Sequence, residues 1–249
     1  MYYAEPNMKW AEKIDKAVDF LFPMNTYCIL CGKYVDKSVK YVMCDSCMEK
    51  VGFGFVEIDL ETEEREEGRT RVLDSALSCM SYGLYEKNIG LSLKNRKATY
   101  IARIIAEIMY DRIMNDPVRS TDFLSADMII PVPLSKERFI ERGFNQAEKI
   151  AVHLGHRLHI PVDVRTVIRQ KETQYQKKLS REERFVNLYD AFSLKRDVKG
   201  KSIILLDDFY TTGATSYTIA RLLKENGAGE VHLITLATRN RYAYGFFKE

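Results

Sequence analysis

The sequence predicts an α/β protein: a mostly parallel sheet with helices on both faces, preceded by a small cysteine module. Three observations carry this. Apolar runs of strand length alternate with segments patterned at helical spacing between residues 72 and 249. Four of the five cysteines fall in two tight pairs, Cys28 with Cys31 and Cys44 with Cys47. One apolar run, Ile203–Leu206, ends in two acids and a turn rich in hydroxyls and glycine.

The 249 residues, 46% of them hydrophobic, suffice for one principal domain with an appendage. We expect an N-terminal helix and cysteine module over residues 1–56, an acidic connecting segment over 57–71 and the α/β domain over 72–249. At the start, Asn7 can cap a helix that carries Trp10, Ile14, Ala17, Val18 and Leu21 at helical spacing and stops at Pro23. Glu5, Glu12 and Asp15 set this segment apart from the basic-then-apolar order of a signal peptide. No stretch approaches the roughly 18 uninterrupted apolar residues of a membrane span, and the expected location is cytoplasmic. A formal net charge of +3 neither demands nor excludes a polyanionic partner.

The acidic run 57–67 reads as a solvated loop or strand edge. Beyond it we expect a strand over 76–82 and a helix over 98–114 with Ile101, Ile104, Ile105 and Ile108 on one stripe. A buried strand within Asp127–Pro133 leaves the sheet at its prolines, and a helix follows over 146–158. An apolar stretch over 161–168 leads into a polar, basic loop over 169–184. A strand over 202–206, a helix over 216–226 and a strand over 231–237 complete the pattern. Cys79, on a predicted strand, reads as a core thiol. The four histidines form no ligand cluster and read as surface residues. Parallel sheets of this kind bind ligands at the carboxyl ends of their strands, so the site is expected just after an apolar strand.

Cys28-x2-Cys31-x12-Cys44-x2-Cys47 sets two thiolate hooks at the spacing that tetrahedral Zn²⁺ needs. Two disulfides or a redox pair are the alternatives. A reducing compartment disfavours the first, and no thioredoxin-like βαβ context surrounds the second. Four thiolates leave no open coordination position, so the zinc is expected to be structural.

The string from Lys201 to Thr215 has the parts of a ribose 5-phosphate cradle in order. Backbone N–H groups at a helix start are unpaired, so Thr211, Thr212, Gly213, Ala214 and Thr215 can wrap a phosphate, with Gly213 allowing close approach. Asp207 and Asp208, one step earlier, can accept from vicinal ribose hydroxyls. The alternative is a plain strand-to-helix turn with a capping residue.

This string resembles the signature of the type I phosphoribosyltransferases. Pro131-Val-Pro-Leu134, Arg138 and Arg142-Gly-Phe-Asn-Gln-Ala147 resemble that of one branch, the competence protein F (ComF) family. Gln176, Leu179-Ser180, Arg184, Asn187 and Ala191-Phe192 resemble its second signature. The likeness covers nearly the whole chain, since that family also begins with a helix and a four-cysteine module. Two departures are the bulky Phe209-Tyr210 pair and Gln174 where a proline is common.

The resemblance implies a type I phosphoribosyltransferase-like fold and a site for 5-phosphoribosyl diphosphate or a related ribose phosphate, with Mg²⁺ carried by the diphosphate. It implies catalytic roles for Asp207, Asp208 and Lys94, and diphosphate or anion contacts from Lys94, Arg96, Arg138 and Arg142. For Lys94–Lys97 the alternative is a solvated helix start. It further implies a part in natural transformation, with single-stranded DNA and the DNA-uptake machinery as partners, and does not specify an acceptor for the ribose. The competing expectation is a non-catalytic protein that binds single-stranded DNA or a nucleotide on the same fold. The basic loop Arg165–Arg184, with Tyr175 and Phe185 interleaved, can contact a single strand by charge and stacking or close over the ribose site.

Overall fold

The apolar runs become the central strands of a six-stranded sheet in a computed structural model that describes residues 27–36, 38–51, 53–62, 68, 70–81, 98–116, 118–170, 191–239 and 243–246. Two units emerge, Met1–Glu49 and Lys50–Glu249. The expected helix over 7–23, Lys94, Arg96, Lys97 and most of the basic loop lie outside the described residues. Among those described, no helix is long and apolar enough to cross a membrane.

In the smaller unit, the first cysteine pair sits on a turn closed by the Cys28 N–H donating to the Lys33 carbonyl at 2.7 Å. Cys44 caps the short helix α1 (Asp45–Met48), its carbonyl accepting from the Cys47 and Met48 N–H groups. Val35 and Met43 are buried beneath this frame.

The larger unit contains β1 (Phe53–Ile58), β2 (Ser75–Ser81), α2 (Ala98–Met114), α3 (Ser120–Leu124), β3 (Met128–Pro131), α4 (Lys136–Arg142) and α5 (Gln146–Leu158). After these come β4 (Val167–Arg169), β5 (Phe192–Leu194), β6 (Ile203–Tyr210), α6 (Ala214–Glu225), β7 (Val231–Thr238) and β8 (Ala243–Phe246). The sheet order is β3-β6-β7-β2-β1-β8, and β4 with β5 forms a separate antiparallel pair. β3, β6, β7 and β2 run parallel, as expected, while β1 and β8 add antiparallel pairings at one edge. Residues 53–56, expected with the cysteine module, thus belong to β1 and hydrogen-bond with the sheet. Ile58 anchors that strand at 2% exposure.

Every residue of β7 is buried, the pattern of a strand covered on both faces. Ile130, Ile203, Leu205, Val231 and Leu233 share a core with Ile219, Ala220 and Leu223 of α6. The neighbouring residue Ile129 points the other way, towards α5, because successive side chains alternate across a strand. α5 and α2 pack on each other and on the strands there, giving helices on both faces. His232, expected at the surface, is buried on β7, its Nδ1 2.9 Å from Ser75 Oγ. Cys79 is a core thiol, and burial pushes it up to about 12 against the opposing charge of Arg112.

Gly155 is what lets α5 lie close. A Cβ there would stand 2.5 Å from Val162 Cγ2 and 2.7 Å from the Ile160 carbonyl oxygen. Alanine favours a helix by up to about 1 kcal/mol, whereas overpacking costs about 1–3 kcal/mol. Gly155→Ala is therefore expected to lower unfolding free energy by about 1–2 kcal/mol in urea denaturation. An unchanged midpoint would mean that the 160–162 segment gives way freely.

Candidate functional site

The carboxyl end of β3 lies beside Leu206, midway along β6, where the Val132 N–H donates to the Leu206 carbonyl at 2.9 Å. β6 is longer than expected. Its pairing with β7 continues through Asp207, Phe209 and Tyr210, so the two acids lie within the strand rather than ending it. Tyr210, expected as loop bulk, is 3% exposed and part of the core below α6. The loop proper is only Thr211-Thr212-Gly213, and α6 starts at Ala214, two residues earlier than expected.

Gly213 holds the helix N-cap at φ +68, a left-handed conformation that glycine adopts without strain, and no side chain caps the helix there. The first N–H groups of α6 have no intrahelical acceptor and carry the positive end of the helix dipole. They open onto a hollow of about 220 Å³, its mouth included, lined by Asp207 and residues 209–216. Five of the sequence-predicted residues, Thr211, Thr212, Gly213, Ala214 and Thr215, thus come together with Asp207.

The carboxylates are braced by their own backbone. Asp207 Oδ1 accepts the Asp208 N–H at 2.8 Å, and Asp208 Oδ1 accepts the Phe209 N–H at 2.9 Å. The Asp207 residue keeps some exposed surface but its carboxyl is enclosed. Burial first, and the charge of Asp208 second, push it well above the usual carboxylate range, against the Asp208 N–H and the Arg138 charge.

Arg138 and Arg142 stand on the short helix α4, which Ser135 caps by accepting the Arg138 N–H at 3.3 Å. Asn145 then starts α5, its Oδ1 accepting the Ala147 N–H and its Nδ2 donating to the Val132 carbonyl at 2.9 Å. That tie holds the start of α5 at the end of β3. Arg138 is close enough to Asp207 for its charge to favour the ionised carboxyl.

In the smaller unit the four cysteine Sγ atoms lie within 4.8 Å of one another, with Cys31 and Cys44 3.6 Å apart. A Zn–S bond of about 2.3 Å implies tetrahedral S–S edges of about 3.8 Å, so this quartet can hold a metal ion.

The chain is thus an α/β domain with an acid pair and an uncapped helix start towards the carboxyl edge of a parallel sheet. The phosphoribosyl transferase domain family matches residues 97–244, and the chain belongs to that family, in its competence protein F/ComFC branch. It is 32% identical over 225 residues to competence protein ComFC of Bacillus subtilis strain 168, covering 89% of this chain and 88% of that protein. It is 36% identical over 141 residues to competence protein F of Haemophilus influenzae, covering 55% of this chain and 61% of the relative. To DNA utilization protein YhgH of Salmonella typhimurium it is 36% identical over 141 residues, 57% of this chain and 62% of the relative. The last two matches span less than two thirds of the relatives' length.

Proposed function

We propose that the chain binds 5-phosphoribosyl diphosphate, or a related ribose phosphate, at the carboxyl end of β6. The observation that carries this is the uncapped start of α6 behind Thr211-Thr212-Gly213, set directly after Asp207 and Asp208. The 5-phosphate sits on the loop N–H groups, the ribose hydroxyls donate to the acid pair, and the diphosphate extends towards Arg138 and Arg142. Mg²⁺ would be held largely by diphosphate oxygens and would offset their charge. Departure of diphosphate from C1 would rest on positioning and electrostatics, with Lys94 and Arg96 as further cationic contacts. Zn²⁺ on Cys28, Cys31, Cys44 and Cys47 would fold the smaller unit without taking part in chemistry. The names of the relatives support a role in handling DNA taken up by the cell, with single-stranded DNA as a partner.

The test is titration calorimetry with 5-phosphoribosyl diphosphate, with and without Mg²⁺ and with single-stranded DNA as competitor. Saturable, Mg²⁺-dependent binding is the expected result. Absence of binding while DNA still binds would overturn the ribose-phosphate assignment.

A further inference from the structure

One level of the parallel sheet holds three polar residues in register: Asp207 on β6, Thr235 on β7 and Ser78 on β2. Register partners share a face, and the level beneath them, Leu205, Leu233 and Ala76, belongs to the core below α6. Thr235 and Ser78 are fully buried. The Ser78 hydroxyl donates to the Met80 carbonyl at 3.1 Å. The Thr235 hydroxyl, by contrast, has no hydrogen-bond partner among the described residues. A buried hydroxyl without a partner destabilises a fold, and valine would fill the same space without one. Its neighbour at the same level is the enclosed carboxyl of the candidate site.

We propose that Thr235 is a positioning residue for Asp207, its hydroxyl turning to pair with the carboxyl and linking it to Ser78 in a buried chain that fixes how Asp207 faces the ligand. The donor directions agree along that chain. A protonated Asp207 donates to Thr235 Oγ1, Thr235 donates to Ser78 Oγ, and Ser78 donates to the Met80 carbonyl. An ionised Asp207 accepts from Thr235 instead. The two states differ by the single proton on Asp207, which is exchanged with solvent or ligand, while Thr235 and Ser78 keep theirs. A hydroxyl serves both states, which no apolar or charged residue at this position does. The charged groups acting on Asp207 are Asp208 on its own strand, which favours the protonated form, and Arg138 on α4, which favours the ionised one. That Asp207 meets a ribose rests on the function proposed above; its link to Thr235 does not.

The experiment follows the Asp207 carboxyl by carbon-13 NMR in ligand-free protein, with Asp207→Asn identifying the resonance. In Thr235→Val the carboxyl is expected to hold its proton about tenfold more tightly than in the parent, because the ionised form loses its stronger, charge-assisted hydrogen bond. Thr235→Ser restores the parent titration. An Asp207 titration unchanged in Thr235→Val, or unrestored by serine, would overturn the proposal. If valine does not fold, Thr235→Ala is read in its place, and failure of both to fold makes the hydroxyl structural and overturns it equally. A parallel calorimetric titration of the parent with 5-phosphoribosyl diphosphate separates the two claims, since missing ligand binding sinks the site and leaves the carboxyl result standing.

Discussion

Replacing Asp207 and Asp208 together by asparagine is expected to weaken 5-phosphoribosyl diphosphate binding by at least about 100-fold, taking each charge-assisted bond as worth about 1.5–3 kcal/mol. The fold should survive. Asparagine keeps an acceptor for the Asp208 and Phe209 N–H groups that now bond the carboxylates, and β6 is held on both sides by β3 and β7. Stability should even rise. The Asp207 carboxyl lies above its ordinary value of 3.8 in the folded chain, chiefly through burial. A raised carboxyl contributes stability that is complete below the unfolded value and lost as pH climbs towards the folded one. Asp207→Asn alone should therefore melt higher than the parent at neutral pH and converge with it below about pH 4. Calorimetry checks the first effect and thermal melts across pH the second. Undiminished affinity in the double variant would remove the acid pair from the site, and a lower melting point at neutral pH would refute the burial argument.

The same residues show where sequence reading succeeds and where it stops. α2 and α5 were legible to the residue because a local apolar stripe defines each of them, Ile101 to Ile108 in one and Ile150 to Leu158 in the other. The loop Thr211-Thr212-Gly213 was legible because its parts are contiguous. β6 was read four residues short, since two acids disfavour a strand locally, and only hydrogen bonding to Thr235, Ala237 and Thr238 keeps it going. That extension also converts Tyr210 from loop bulk into core. α4 has no buried residue and hence no periodic signature; its caps at Ser135 and Gly143 are the signals that would have found it. β1 and β5 are short strands whose partners lie elsewhere in the chain, so nothing local announces them. Thr235 has the same explanation: alone it is one hydroxyl in an apolar strand, and only the register sets it level with Asp207.

Zinc binding to the cysteine quartet is expected to tighten at least about tenfold per pH unit between pH 7 and 8, with release of protons to the buffer. The thiols differ sharply. Burial works against ionisation of Cys28, but the backbone N–H groups of Cys31, Cys44 and Leu30 outweigh it and bring the thiol down to about 6. Cys47 is pushed up to about 12, by burial first and then by Cys44, Cys31 and Cys28 around it. In the metal-free protein at pH 7, Cys28 is thus mostly thiolate while Cys47 keeps its proton. Every thiol proton still present must leave as the metal enters, so affinity falls as pH falls. Cys47→Ser removes one of the two buried ligands and leaves three, which should abolish tight zinc retention and open residues 27–49 to proteolysis, because metal binding supplies most of the folding free energy of such modules. The sheet core around β3, β6 and β7 should resist under the same conditions. Zinc content after purification under reducing conditions, proton release on loading and limited proteolysis of the variant are the three measurements. A protein free of zinc, or an affinity flat in pH, would leave the quartet as paired thiols and return the module to the disulfide and redox alternatives.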